Sequence, residues 1–96
     1  MGVDYAWEKF STEIRFALVS NASLQERLGC LISGVSHLQR ESFPDEHAWD
    51  EFRKLVNENS KRQTQMSDKE AKERLQAAFD IFSQVARAFG RNEFVI

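Results

Sequence analysis

Five residues near the middle of the chain are of the types that hold metals or move protons: His37, Glu41, Asp45, His47 and Glu51. His37 and Glu41 are four residues apart, so a helix would place them on one face a turn apart, which is workable ligand spacing. His47 and Glu51 repeat the interval. Two such pairs facing each other across the turn at Phe43-Pro44 could hold a divalent ion, which makes His37, Glu41, His47 and Glu51 the metal candidates. Against this, carboxylates and His near helix ends commonly serve as solvated caps and ion-pair partners. Neither Glu-x-x-His nor His-Glu-x-x-His occurs in the chain. Capping is the simpler reading, and no metal or other cofactor is expected.

Nucleophilic chemistry has fewer pieces. Cys30 precedes His37 by seven residues, which on a helix is the same face but roughly 10 Å along the axis, too far for direct proton abstraction. No Gly-x-Ser-x-Gly, glycine-rich phosphate loop or Walker sequence is present. Ser33 and Ser36, among small neighbours, read as packing spacers. Cys30 itself cannot make an intrachain disulfide, because it is the sole cysteine. It sits in the least polar part of the chain, where a free thiol behaves as a small hydrophobe, and a reducing compartment fits it. No catalytic residue is assigned and no enzymatic activity is expected.

The elements that would position these groups are helices. Val3, Trp7, Phe10, Ile14, Ala17 and Leu18 form a helical stripe in a first helix over residues 3–20, with Tyr5, Thr12, Phe16 and Val19 on the other side. The second helix, residues 23–41, opens on a capping box, Ser23 with Glu26. Leu24, Leu28, Leu31, Ile32, Val35 and Leu38 form its large-residue face. The other face carries Gly29, Cys30, Ser33, Gly34 and Ser36, small enough for a neighbouring helix to come close; a kink near Gly34 is the competing use. Pro44 disfavours helix at Phe43 and should end this element near Arg40 or Glu41. A third helix, 44–57, then starts with Pro44 in its first turn and Asp45 and Glu46 at the positive end of its dipole. Its inner stripe is Ala48, Trp49, Phe52, Leu55 and Val56. Residues 57–66 read as a polar linker or a frayed extension of that helix, with Lys61 and Arg62 as a weak phosphate-touching alternative. A fourth helix, 67–89, has a second capping box at Ser67 and Glu70 and a C-cap glycine at Gly90. Its stripe is Ala71, Leu75, Ala78, Phe79, Phe82, Val85, Ala86 and Phe89. Phe94-Val95-Ile96 finishes a tail too short for a helix of its own and is expected to dock on its own bundle, a dimer mate or a peptide-binding partner being the alternatives. The expected fold is an all-α, four-helix bundle with mostly antiparallel neighbours, one domain over residues 1–96.

Size and composition agree. Ninety-six residues with 42 % hydrophobic and 11 % aromatic content, including eight Phe and two Trp, suffice for one core and argue against disorder. Thirteen basic and fifteen acidic residues leave a net charge of −2, so the overall cationic footprint of a nucleic-acid binder is absent. A helix-turn-helix around the break at 41–45 would present Asp45, Glu46, Asp50 and Glu51 to phosphates, which repel them. Lys72, Arg74, Arg87 and Arg91 on the last helix could touch a backbone, but such charges usually solvate a face. No run of about 18 apolar residues could span a membrane, and MGVDYAWEKF lacks the apolar core of a signal peptide and the Ser/Thr of a myristoylation motif. A cytoplasmic location is expected.

What remains is protein–protein interaction. Tyr5, Phe16 and Val19 on the first helix and Ala77, Ile81 and Ala88 on the last form second apolar surfaces beyond the main stripes. They are the interface candidates, and the expected partner is a second copy of the chain in a twofold homodimer, with another protein as the alternative. The runs SLQERL (23–28) and HLQRESFP (37–44), followed by Trp49-x-x-Phe52, resemble a recurring pattern in short uncharacterised bacterial all-helical proteins. The resemblance spans residues 23–56. Its motifs are packing and capping positions, and it implies no function.

Overall fold

Side-chain caps fix the starts of three of four helices. The computed structural model describes residues 2–62 and 66–94, and the side chains of 2–58 and 66–90. In chain order the elements are α1 (Val3–Val19), α2 (Leu24–Val35), a short 3-10 turn at Arg40–Ser42, α3 (Glu46–Arg62) and α4 (Asp68–Phe94). The Ser23 hydroxyl accepts from the Glu26 N–H at 3.1 Å and the Ser67 hydroxyl accepts from the Glu70 N–H at 3.1 Å. Both serines therefore satisfy one of the first-turn donors that a helix leaves open. At α3 the same role falls to Asp45, whose Oδ1 accepts from the Ala48 N–H at 2.9 Å. Pro44 thus stands before the cap rather than inside the first turn.

The fold is an all-α bundle, with no strand among the described residues. α1, α2 and α4 pack on one another, and α3 lies mainly against α4, so α4 touches every other helix. At 1.5 Å per residue its 27 residues measure about 40 Å, which accounts for most of the 45 Å long dimension of the molecule. The core takes Ala6, Phe10 and Ile14 from α1, Leu28, Leu31, Ile32 and Val35 from α2, Ala48, Phe52 and Leu55 from α3, and Ala71, Ala78, Ile81 and Val85 from α4. Phe10 is its aromatic centre. It meets Phe43 and Phe52 edge-on, with ring centroids at 6.5 and 6.0 Å, and Phe82 at 6.3 Å. Such ring pairs add about 0.5–1.5 kcal/mol each beyond the area they bury.

The ends of α2, α3 and α4 and the burial of one stripe residue differ from the sequence expectation. α2 stops at Val35 rather than near residue 41. Ser36 and His37 turn, and Gln39 is extended (φ −112°, ψ 172°). Leaving the helix lets Leu38 and Phe43 swing inward to 4 % and 3 % exposure, which a continued helix would not allow for both. α3 runs on to Arg62, so residues 57–62 extend that helix, the second of the two readings of this stretch, and are not a linker; residues 63–65, and the side chains of Lys61 and Arg62, lie outside the described residues. α4 passes straight through Gly90 to Phe94. No glycine among the described residues has a positive φ, so Gly90 is not a left-handed cap. The stacking of Trp7 on Phe89, 4.9 Å between centroids, holds that end of α4 against α1. Residues 95–96 and the side chain of Phe94 lie outside the described residues, and with them the docking of the C-terminal tail. Finally, Leu18 is 67 % exposed instead of joining the inner stripe, because it lies 100° round the axis from buried Ala17.

The small face of α2 divides. Gly29 is buried and Gly34 half-buried, while Cys30, Ser33 and Ser36 face solvent. At Gly34 a Cβ would overlap the Glu13 side chain of α1, so the close approach foreseen for this face is made by a side chain from the preceding helix. At the opposite end of α2, Gln25 ties the hairpin to the start of α4. Its Nε2 donates to the Met66 carbonyl and to Asp68 Oδ1, both at 2.9 Å.

Candidate functional site

The early end of α2 separates the two pairs that the sequence placed face to face. His37 lies in the turn after α2, and its Nε2 is 2.9 Å from the Tyr5 hydroxyl on α1, with the two rings edge-to-face at 5.8 Å. Lys9 Nζ stands 5.9 Å from the centroid of the Tyr5 ring. Tyr5, His37, Leu38, Gln39, Glu41 and Ser42 line one cavity of about 250 Å³. His47 and Glu51 instead look across α3 toward α4, into a cavity of about 210 Å³ shared with Ala77, Asp80, Ile81 and Gln84. Asp45 is spent on capping α3. Among the described residues no three His, Cys, Asp or Glu side chains are grouped to hold a metal. The four-residue arrangement of His37, Glu41, His47 and Glu51 is therefore not formed, since it needed His37 and Glu41 on one continuous helix.

Ser42 is the feature of the first cavity that spacing alone did not signal. It is 3 % exposed, and it is the one buried polar residue among those described. Its N–H donates to the Gln39 carbonyl at 3.0 Å, but its hydroxyl has no hydrogen-bond partner among the described residues. A buried hydroxyl left unpaired costs about 1–3 kcal/mol. The contact between Tyr5 and His37 spans 32 positions, so no local motif could announce it either.

Cys30 is exposed rather than core filler. The stripe that buries Leu28, Leu31 and Ile32 leaves residue 30 on the far side of the helix. Its proposed relation to His37 along one helix face lapses with the end of α2 at Val35.

The interface candidates sort sharply by burial. Ile81 at 2 % and Ala88 at 7 % belong to this chain's own interior, and Ala77 is half-buried against it. Tyr5 is half-buried and packed on the core. These residues do not form a spare surface, because α4 has to meet three helices at once. Phe16 and Val19 are free, at 58 % and 79 % exposure, and Leu18 joins them at 67 %. The last turn of α1 thus presents three large apolar side chains to solvent, with Phe16 and Val19 sharing a face.

The charged surfaces are mostly occupied with local pairing. Between α3 and α4 a groove of about 270 Å³ is lined by Glu51, Lys54, Glu58, Glu70, Glu73 and Arg74, among others. Arg74 donates across it to Glu58 at 2.9 Å, which occupies one of the four cations that could touch a phosphate backbone. Arg87 turns back to the Ser83 carbonyl at 3.4 Å. Asp45, Glu46, Asp50 and Glu51 are exposed at the start of α3, where Arg40 Nε donates to Glu46 Oε1 at 3.2 Å. No helix among the described residues is long and apolar enough to cross a membrane. Comparison with family models, with curated proteins and with solved structures returns no match to this chain.

Proposed function

We propose that this chain is a non-enzymatic protein–protein interaction or regulatory module that acts as a homodimer through the outer end of α1. The observation that carries the reading is the cluster of Phe16, Leu18 and Val19, 58 %, 67 % and 79 % exposed within four residues. Single exposed apolar side chains are ordinary, but Phe16 and Val19 share one face of the last turn, with Leu18 further round the same helix end, and a shared apolar face is the kind of surface partners cover. A twofold contact presents the same patch from both copies. Burying the exposed part of both sets is worth roughly 6–12 kcal/mol, while association costs about 4–15 kcal/mol in lost freedom. The balance favours a weak, concentration-dependent dimer over an obligate one. A reducing cytoplasm suits the reading, since an exposed unpaired thiol at Cys30 persists where thiols are kept reduced.

Sedimentation equilibrium over roughly 1 to 100 µM, the range where such a balance shows itself, tests this directly. The expected result is a monomer–dimer equilibrium that Phe16→Asp with Val19→Asp abolishes while helical circular dichroism is unchanged. A monomer across the whole range, or a dimer that survives both substitutions, would sink the proposal.

A further inference from the structure

We propose that the cavity between the start of α1 and the segment after α2 is a binding site for a small organic primary amine. The proposal concerns the end of the bundle away from the apolar turn of α1 and does not depend on dimerisation. The lining decides the ligand class. Tyr5, His37, Gln39, Glu41 and Ser42 supply its polar groups and Leu38 its aliphatic wall. Glu41 supplies the one carboxylate among these residues, and no Lys or Arg is among the described residues that line the space. An anion would meet the Glu41 carboxylate there, whereas an ammonium group finds that carboxylate and hydroxyl and amide oxygen acceptors.

The Ser42 hydroxyl adds the second, independent indication. Ser42 is buried and is one of the residues that line the cavity, and its hydroxyl lacks a partner among the described residues. A hydroxyl can both give and accept, so it can take an N–H from the ligand. The Tyr5 and His37 side chains are held by their mutual 2.9 Å hydrogen bond, so that wall is already ordered before a ligand arrives, which lowers the entropic cost of binding. Lys9 lies near the Tyr5 ring and disfavours a second cation over that face. The ammonium group therefore belongs on the Glu41 and Ser42 side, with the hydrocarbon part against Leu38 and Tyr5. A cavity of about 250 Å³ lies just below the usual range for ligand sites, so only a small amine fits.

The test is a titration of the full chain, labelled with nitrogen-15, with butylamine and phenethylamine, using butanol and butyrate as neutral and anionic controls. Saturable amide shifts confined to Tyr5 and residues 37–42 are expected for the amines, weaker ones for butanol and none for butyrate. Glu41→Gln should weaken amine binding about three- to tenfold, the size expected of a partly screened charged contact. Ser42→Ala, which leaves the backbone intact, should weaken it without altering the unliganded spectrum elsewhere. The proposal is overturned if neither amine gives saturable shifts at these residues, if butyrate binds as well as the amines, or if Glu41→Gln leaves amine affinity unchanged.

Discussion

At Gly34 one missing methyl group lets the Glu13 side chain lie across α2. Alanine in that helical position would normally add stability, because it restricts the unfolded chain and favours the helix. Here the added Cβ must first displace Glu13, a flexible side chain that can move. We expect Gly34→Ala to be close to neutral alone, within about 0.5 kcal/mol, and to stabilise by about 0.5–1 kcal/mol in a Glu13→Ala background. Urea denaturation of the four proteins checks it; equal effects in both backgrounds would mean that the two residues are not coupled. The same scale shows where sequence reading works. Ser23 and Ser67 each precede a Glu by three residues and an apolar run, and both serve as the caps this pattern implies. Tyr5 and His37 carry no such local signal, because their contact depends on where α2 ends.

Helix ends are the least legible part of the elements. The apolar spacing of α2 continues to Leu38, and Leu38 is indeed buried, yet it reaches the core from an extended segment. Tertiary packing of Leu38 and Phe43 overrides the helical period there. Gly90 shows the reverse error: a glycine after an apolar stripe reads as a stop, but the helix continues and nothing lies within 4 Å of where its Cβ would be. Gly90→Ala should therefore stabilise the protein by about 0.5–1 kcal/mol, raising the thermal midpoint by a few degrees. A left-handed cap glycine would give the opposite sign, so a calorimetric scan separates the two. At the start of α3, Asp45→Ala should cost about 1 kcal/mol through loss of the cap, and Asp45→Asn much less, as read by chemical denaturation.

For the molecule as a whole, the bundle is readable and its spare surfaces only in part. A helix with two apolar stripes can face either a core and a partner, or two neighbours within one chain. On α4, with Ala77, Ile81 and Ala88 forming the second stripe, the answer is two neighbours, because this helix touches all the others. On α1 the second stripe splits, with Tyr5 turned inward to His37 and Phe16 and Val19 left in solvent. Ile81→Asp should thus act on folding, costing about 4 kcal/mol or more through burial of an unpaired charge. It should lower helical circular dichroism at every protein concentration, whereas a residue of a dimer contact would change association instead.

The central place of α4 has a consequence for how the chain is made. It is the last of the four helices to leave the ribosome, yet it supplies a wall to each of the others. At about 5–20 residues per second its 27 residues take seconds to synthesise, while a helical hairpin such as α1 with α2 can form in microseconds to milliseconds. During that interval Phe10, Leu31 and Phe52 have only part of their final surroundings. Any pairing of the earlier helices before α4 emerges would leave the interior open on one side, and the arrival of Ile81 and Val85 closes it.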